Sequence, residues 1–255
     1  MFMIGLRFHD FRPRPYSSKT ALLRIFSKLS LESLLSILLK ARPIHCVITA
    51  GPTREYFDPV RFLSNPSSGK MGYALAQAAL ELGCSVDLVS GPVALAPPEG
   101  VSFYSFTSAE DLHLIALQLF DKADLFIMTA AVCDQKPACT ADHKLKKDGL
   151  GQSLAVEPTV DVLASLGARK ERQILVGFAA ETQAIEENAL KKLEGKNLDW
   201  IVANPVGGLQ GAFESDENIV TLLGRGGDRL CYGPEPKTQI AAWLMDKIML
   251  NLSQS

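Results

Sequence analysis

The string Asn65-Pro66-Ser67-Ser68-Gly69-Lys70 is the densest set of groups in this chain that could act on an anion. Two hydroxyls, a glycine and a lysine stand at the start of an apolar-periodic segment, residues 69–83, that reads as an amphipathic helix. The first turn of such a helix leaves backbone N–H groups unpaired and presents the positive end of its dipole, so it can receive a phosphate. Capping by Ser67 or Ser68, with Lys70 as a solvated charge, is the plainer use of the same residues. Arg54, Arg61 and Asn65 on the same loop favour the phosphate, because a cap needs none of them. The loop is not a standard nucleotide fingerprint. It has no G-x-G-x-x-G, Met71 stands where a P-loop has Ser or Thr, and no glycine precedes Gly69 by five.

Other charged groups are less pointed. Lys144, Lys146 and Lys147 form a basic cluster on a polar loop, which is either solvated surface or a cover for phosphates. Lys192 and Lys196 stand four residues apart on and just beyond a helix, where like charges repel unless an anion lies between them. His9, His45, His113 and His143 are scattered without metal-ligand spacing. The five cysteines are odd in number and contain no CxxC pair, which argues against a disulfide framework or a zinc site and for a reducing, cytoplasmic setting. Cys46 and Cys84 lie in apolar, strand-like runs, where a thiol serves as a small hydrophobe.

The elements that must position these groups are legible from residue 43 onward. Short, nearly uninterrupted apolar runs occur at 44–51, 86–91, 101–106, 124–131, 173–181 and 200–205, as expected of parallel strands covered on both faces. Helical periodicity fills most of the gaps, at 69–83, 108–122, 160–169 and 182–195, and 235–252 closes the chain. Alternating strand and helix predicts an α/β fold, a doubly wound, mostly parallel Rossmann-like sheet whose ligands lie outside the C-terminal ends of the strands. Residues 210–230 differ: Ser215, Asp216, Glu217 and Asn218 introduce an apolar run, and Gly224-Arg225-Gly226-Gly227-Asp228 makes a turn, predicting an antiparallel edge hairpin.

The chain has 255 residues, 47% hydrophobic and 21% charged, with a net charge of −2, which excludes disorder and argues against a dedicated nucleic-acid binder. That average conceals a split. Residues 1–44 hold eight Lys/Arg against Asp10 and Glu32, leaving 18 basic against 26 acidic residues in the remainder. Residues 1–43 therefore read as a basic N-terminal extension, with an amphipathic helix over 20–42. Arg24, Lys28, Glu32 and Lys40 interrupt that helix, so no membrane span is expected there. The extension is also Arg-rich and acid-poor in the manner of an organellar address.

The run ITAGPTRE, then DPVRFLSNPSSGKMG, LVSGP, TAAVCD, HKLKK, VGFAAET, KNLDWIVAN and SDEN closely resembles phosphopantothenate–cysteine ligase, in the family's order, from about Ile44 to the C-terminus. The resemblance makes 44–255 the ligase domain. It implies that the carboxylate of 4′-phosphopantothenate is joined to the amino group of L-cysteine, on the route to coenzyme A, through an acyl-cytidylate made from CTP with Mg²⁺. The family works as a homodimer. In most bacteria its ligase domain follows a flavin-dependent phosphopantothenoylcysteine decarboxylase; residues 1–44 are far too short for that domain, so the resemblance implies a stand-alone ligase with a separate decarboxylase as its partner.

Site residues follow from the matching motifs. Asn65 resembles the asparagine that turns the acyl-nucleotide into product, and Arg61 a residue that positions the acyl phosphate or substrate phosphate. Lys144 matches a flap lysine that contacts CTP, and Lys192 and Lys196 match two further nucleotide-contacting lysines. Base recognition is carried onto the backbone of Met128, Thr129 and Ala130, with Phe178 as the aromatic beside the base and Asp134 as a contact to the nucleotide or its metal. Where the family shows Lys, then Asn or Thr, Pro and Asp, this chain reads Pro158, Thr159, Val160 and Asp161, so Thr159 and Asp161 survive while the lysine and proline do not. Gln135 replaces a more usual aromatic. Two alternatives stand beside this reading: an ATP-using member of the same family, and a Rossmann nucleotide-binding protein or oxidoreductase without ligase activity. The missing G-x-G-x-x-G weighs against the oxidoreductase.

Overall fold

The computed structural model describes residues 42–146, 153–181, 183–205 and 217–252. The helix expected over 20–42 therefore lies almost wholly outside the described residues, as do Lys147, Thr182 and the first part of the expected 210–230 hairpin.

The apolar runs form β1 (His45–Ala50), β4 (Ser85–Ser90), β5 (Ser102–Ser105), β6 (Leu125–Met128), β9 (Ile174–Glu181) and β10 (Trp200–Pro205), all parallel. The edge hairpin is β11 (Glu217–Gly224) and β12 (Arg229–Pro236), antiparallel to its neighbours. The eight strands are ordered β5-β4-β1-β6-β9-β10-β11-β12. Strand order thus runs outward from β1 in both directions and reverses between β1 and β6, which is where an open α/β sheet leaves a crevice above its strand ends. This is the expected Rossmann-like sheet. Two small antiparallel pairs lie beyond what the sequence predicts: β2 (Arg54–Tyr56) with β3 (Phe62–Ser64), and β7 (Gln135–Pro137) with β8 (Val156–Pro158). Three-residue strands give too short a period to be seen in a sequence.

Among the described residues five helices cover the sheet: α1 (Lys70–Glu81), α2 (Ala109–Phe120), α3 (Val162–Arg169), α4 (Ile185–Gly195) and α5 (Lys237–Leu252). Alternation along each strand feeds two separate cores. Cys46, Ile48, Leu125, Ile127, Val176 and Val202 join Leu75 and Ala76 of α1 and Ile240, Leu244 and Ile248 of α5. Val47, Phe126, Leu175, Ile201 and Ala203 face the other way, onto Leu112, Ala116 and Phe120 of α2, Leu166 of α3, and Ala189 and Leu193 of α4. Burial on both faces is why these strands read as continuous apolar runs. The thiols of Cys46 and Cys84 are buried as expected.

Local chemistry sets the boundaries. Ser108 caps α2 in a reciprocal box with Asp111, and Asp161 caps α3 through Ala164 N–H at 3.0 Å. Helix α5 starts two residues later than expected, because Pro234 and Pro236 keep the preceding chain extended and β12 runs on to Pro236. The run at 101–106 reads as a covered strand; all four residues of β5 are instead exposed, since it is an edge strand paired only with β4. Among the described residues no helix is long and apolar enough to cross a membrane.

Candidate functional site

A cleft of about 620 Å³ opens at the C-terminal ends of β6, β9 and β10, beside the point where strand order reverses. Asn65, Ser67, Ser68, Gly69, Lys70, Met128, Thr129, Ala130, Asp134, Thr159, Asp161, Phe178, Lys192 and Lys196 all line it, so residues spread over about 130 positions of sequence share one cavity.

The floor is a strand-end weave. Thr129 donates its hydroxyl to the Thr49 carbonyl, and the Thr49 hydroxyl in turn accepts from Ala130 N–H at 3.0 Å. An isolated parallel bridge, Pro52 to Ala131, prolongs the pairing of β1 and β6 past their ends. Because the Ala130 N–H is already taken, Ala130 can address a ligand through its carbonyl.

The wall opposite is the N-terminus of α1. Gly69 is its N-cap at φ 76°, no side chain caps the helix, and its first turn carries no acid. Only glycine adopts that φ without cost, and a Cβ there would come within 3.1 Å of Val93 Cγ1. Gly72 lets the helix lie directly on the strands: a Cβ would meet Ala50 Cβ and Thr129 Oγ1 at 2.6 Å each. Neither serine is the N-cap residue, although Ser67 Oγ accepts from Gly69 N–H at 3.4 Å, and a helix start without a side-chain N-cap faces the cleft beside Lys70.

Asn65 is oriented by one bond, Nδ2 to the Val132 carbonyl at 3.0 Å. Thr159 ties the segment before α3 to the segment after β6, its hydroxyl donating to the Cys133 carbonyl at 2.5 Å and its N–H to the Asp134 carbonyl at 3.1 Å. The two lysines expected to need an anion between them are each held by a separate carboxylate: Lys192 by Glu181 at 2.6 Å and Lys196 by Asp161 at 2.8 Å. Burial pushes the Asp161 carboxyl up, but the Lys196 ammonium, the Ala164 N–H and Lys192 outweigh it and hold Asp161 below the usual carboxylate range.

Arg54, Arg61 and Lys144 are not in the cleft lining; the Arg54 guanidinium lies 4.6 Å from the Phe62 ring centroid. Arg61 pairs with the buried Asp58 at 3.1 Å and donates to the Leu145 carbonyl at 3.4 Å from both terminal nitrogens. Lys144 is exposed, next to Leu145. Conversely, Asn204, Asn218 and Lys237 line the cleft although nothing in the sequence singles them out. The Asn204 Oδ1 is buried with no partner among the described residues, and Asn218 and Lys237 are themselves buried. Asn204 and Asn218 sit inside the strings WIVANP and SDEN, where strand and hairpin patterning hides them; Lys237 reaches the cleft because the Tyr232–Trp243 stack, 5.0 Å between centroids, fastens α5 to the hairpin.

Fold and site together define a Rossmann-like α/β protein whose cleft suits a phosphorylated ligand. A family model described as the DNA/pantothenate metabolism flavoprotein C-terminal domain matches residues 42–251, and the chain belongs to that family. The chain is 53% identical over 186 residues to a Bacillus subtilis protein named coenzyme A biosynthesis bifunctional protein CoaBC, covering 72% of this chain and 46% of that one. It thus spans about half the length of the curated relatives it matches. A crystal structure of the C-terminal domain of a CoaBC protein superposes with a TM-score of 0.72 at 42% identity, over 83% of this chain and 97% of that one. The DNA/pantothenate metabolism flavoprotein of Streptococcus pneumoniae, at 21% identity and a TM-score of 0.70, shares the fold.

Proposed function

We propose that residues 44–255 are a phosphopantothenate–cysteine ligase domain acting in coenzyme A biosynthesis, and that residues 1–43 are a basic extension outside it. The observation that carries this reading is the meeting of Asn65, the uncapped start of α1, Lys192 and Lys196 in one cleft at the sheet's switch point. The name and coverage of the CoaBC relatives support it.

In the first half-reaction a carboxylate oxygen of 4′-phosphopantothenate attacks the α-phosphorus of CTP and pyrophosphate leaves. Ser67, Ser68, Gly69 and Lys70 bind the phosphate of phosphopantothenate, while Lys192 and Lys196 exchange their carboxylates for phosphate oxygens of the nucleotide. The base lies against Phe178 and the backbone of Met128, Thr129 and Ala130, with Thr159 and Asp161 completing the nucleotide site. Lys144, outside the cleft lining in this structure, supplies further positive charge to the nucleotide phosphates. In the second half-reaction the cysteine amine attacks the acyl carbon, CMP leaves, and the amine loses its proton. One Asn65 N–H is spent on Val132, and the second N–H of the same amide is placed to stabilise the acyl oxygen as charge develops there.

Among the described residues no group of three or more His, Cys, Asp or Glu could hold a metal. That suits Mg²⁺ arriving on the triphosphate, which asks the protein for one or two carboxylates and otherwise neutralises phosphate charge. Asp134, exposed at the cleft, fits that part, whereas Asp161 is engaged by Lys196 and Ala164. We further propose a cytoplasmic homodimer, its second copy covering the apolar side chains that Val60, Leu154 and Val156 expose near the small sheets, and a decarboxylase that consumes the product.

Supplied with 4′-phosphopantothenate, Mg²⁺ and cysteine, the protein should release pyrophosphate from CTP faster than from ATP. A preference for ATP would move it to the other branch of the family. Release from neither nucleotide would sink the ligase reading.

A further inference from the structure

We propose that Asp58 is a positioning residue that fixes the backbone carrying Lys144. The proposal rests on the ligase reading for what Lys144 does, but the clasp itself is geometric. Asp58 lies in the turn between β2 and β3 and is fully buried, yet it is a carboxylate with four donors around it. Its two oxygens divide the labour. Oδ1 accepts from Val60 N–H and Arg61 N–H at 2.8 Å each, closing its own turn. Oδ2 accepts from Arg61 Nη1 at 3.1 Å and, 87 residues along the chain, from Leu145 N–H at 3.3 Å. The Arg61 guanidinium completes the clasp by donating to the Leu145 carbonyl. Both backbone groups of Leu145 are therefore held by one half-buried ion pair, and Lys144 is the adjoining residue.

The same strip of chain is laid along β2 at its near end, where Ala141 N–H donates to the Phe57 carbonyl at 3.0 Å and the Thr140 hydroxyl to the Tyr56 carbonyl at 3.2 Å. The hairpin that carries the clasp runs straight on into Asn65. One small sheet thus sets both the asparagine of the second half-reaction and the lysine of the first. Arg61 on this account works through Leu145, without touching substrate. Burial raises the Asp58 carboxyl, but the Val60, Arg61 and Leu145 N–H groups and the guanidinium overcome it and hold the group below the usual range, so it is ionised whenever the enzyme works.

Asp58→Asn separates the two roles. With its amide oxygen at the Oδ1 position the turn keeps both bonds, while an NH₂ at the Oδ2 position opposes two donors and releases Leu145. Hydrogen exchange should show the Leu145 amide losing protection at least tenfold while the Val60 and Arg61 amides keep theirs. In steady state the KM for CTP should rise severalfold, with the KM for cysteine unchanged. Lys144→Gln should impair pyrophosphate release by itself, and adding Asp58→Asn to it should cost nothing more, because the two act as one unit. Unchanged exchange at Leu145 would overturn the clasp, and full additivity of the two substitutions would overturn its action through Lys144. Failure of the unaltered protein to turn over any nucleotide would instead fell the ligase reading, leaving exchange to decide whether the clasp exists.

Discussion

At the scale of single residues, the cleft is built from side chains that already have one partner and keep a second capacity. Asn65 spends one N–H on Val132, which fixes the plane of its amide and aims the other N–H. Asn65→Ala should therefore slow cysteine attack more than carboxylate activation, so that acyl-cytidylate accumulates in a quench of the reaction without cysteine limitation. A loss of about 10²–10³-fold in the second half is the scale for removing one oxyanion donor; equal loss in both halves would contradict the role. Lys192 and Lys196 follow the same logic with charge, since Glu181 and Asp161 neutralise them in this structure and, on the proposed function, give way to phosphate oxygens. Sequence spacing makes these lysines candidates, but their resident carboxylates lie 11 and 35 positions away and cannot be read from spacing.

At the scale of elements, the distance between α1 and β1 is a tight setting in the site. Gly72 meets Ala50 Cβ, Thr129 Oγ1 and the Thr49 carbonyl where any other residue would put its Cβ. Two effects oppose one another in Gly72→Ala. Helix propensity favours alanine by ~1 kcal/mol. Overpacking against a fully buried strand costs ~1–3 kcal/mol or more, because Ala50 and the Thr49 backbone cannot withdraw. The second wins, so the melting temperature should fall, and the start of α1 should shift off the strand ends and raise the KM for phosphopantothenate. A variant more stable than the parent would show that the helix has room to move. The glycine-rich loop advertises a close approach of backbone to something; only the packed sheet shows that at position 72 it is a strand.

At the scale of the whole molecule, stability at acid pH is set by carboxylates held below their ordinary range. Burial raises Asp58, Asp111 and Asp161, and hydrogen bonds from N–H groups, the Ser108 hydroxyl and Lys196 more than reverse it; Glu186 is lowered first by its bond with Arg229. Each takes up a proton more readily in the unfolded chain than in the folded one. Their stabilisation is therefore complete above the unfolded values, about pH 4–4.5, and is lost as pH falls through the lower folded values. Denaturant midpoints should be nearly flat from about pH 7 to 5 and then drop steeply below about 4. A midpoint that rose on acidification through that window would contradict these downward shifts. The acidic balance of residues 45–255 has a second consequence: the anionic substrates of the proposed function would have to be met by a few local cations and a helix start.

Much of this is legible before any coordinate. Six parallel strands and five helices announce themselves because burial on both faces leaves continuous apolar runs and one-sided burial leaves a 3.6-residue period. Asn65 and Lys196, from motifs far apart in the sequence, line one cleft because strand ends and helix starts are the parts of an α/β sheet that converge. What the chain alone does not disclose is everything set by contacts between distant segments. The edge position of β5, the orphaned Asn204 oxygen, the arrival of Lys237 at the cleft, and the turning of Arg61 onto Asp58 and Leu145 each depend on which surfaces meet after the sheet closes. Periodicity reports whether a side chain is covered; only packing decides what covers it, and for Arg61 packing supplies the Asp58 carboxylate and, 84 positions away, the Leu145 carbonyl.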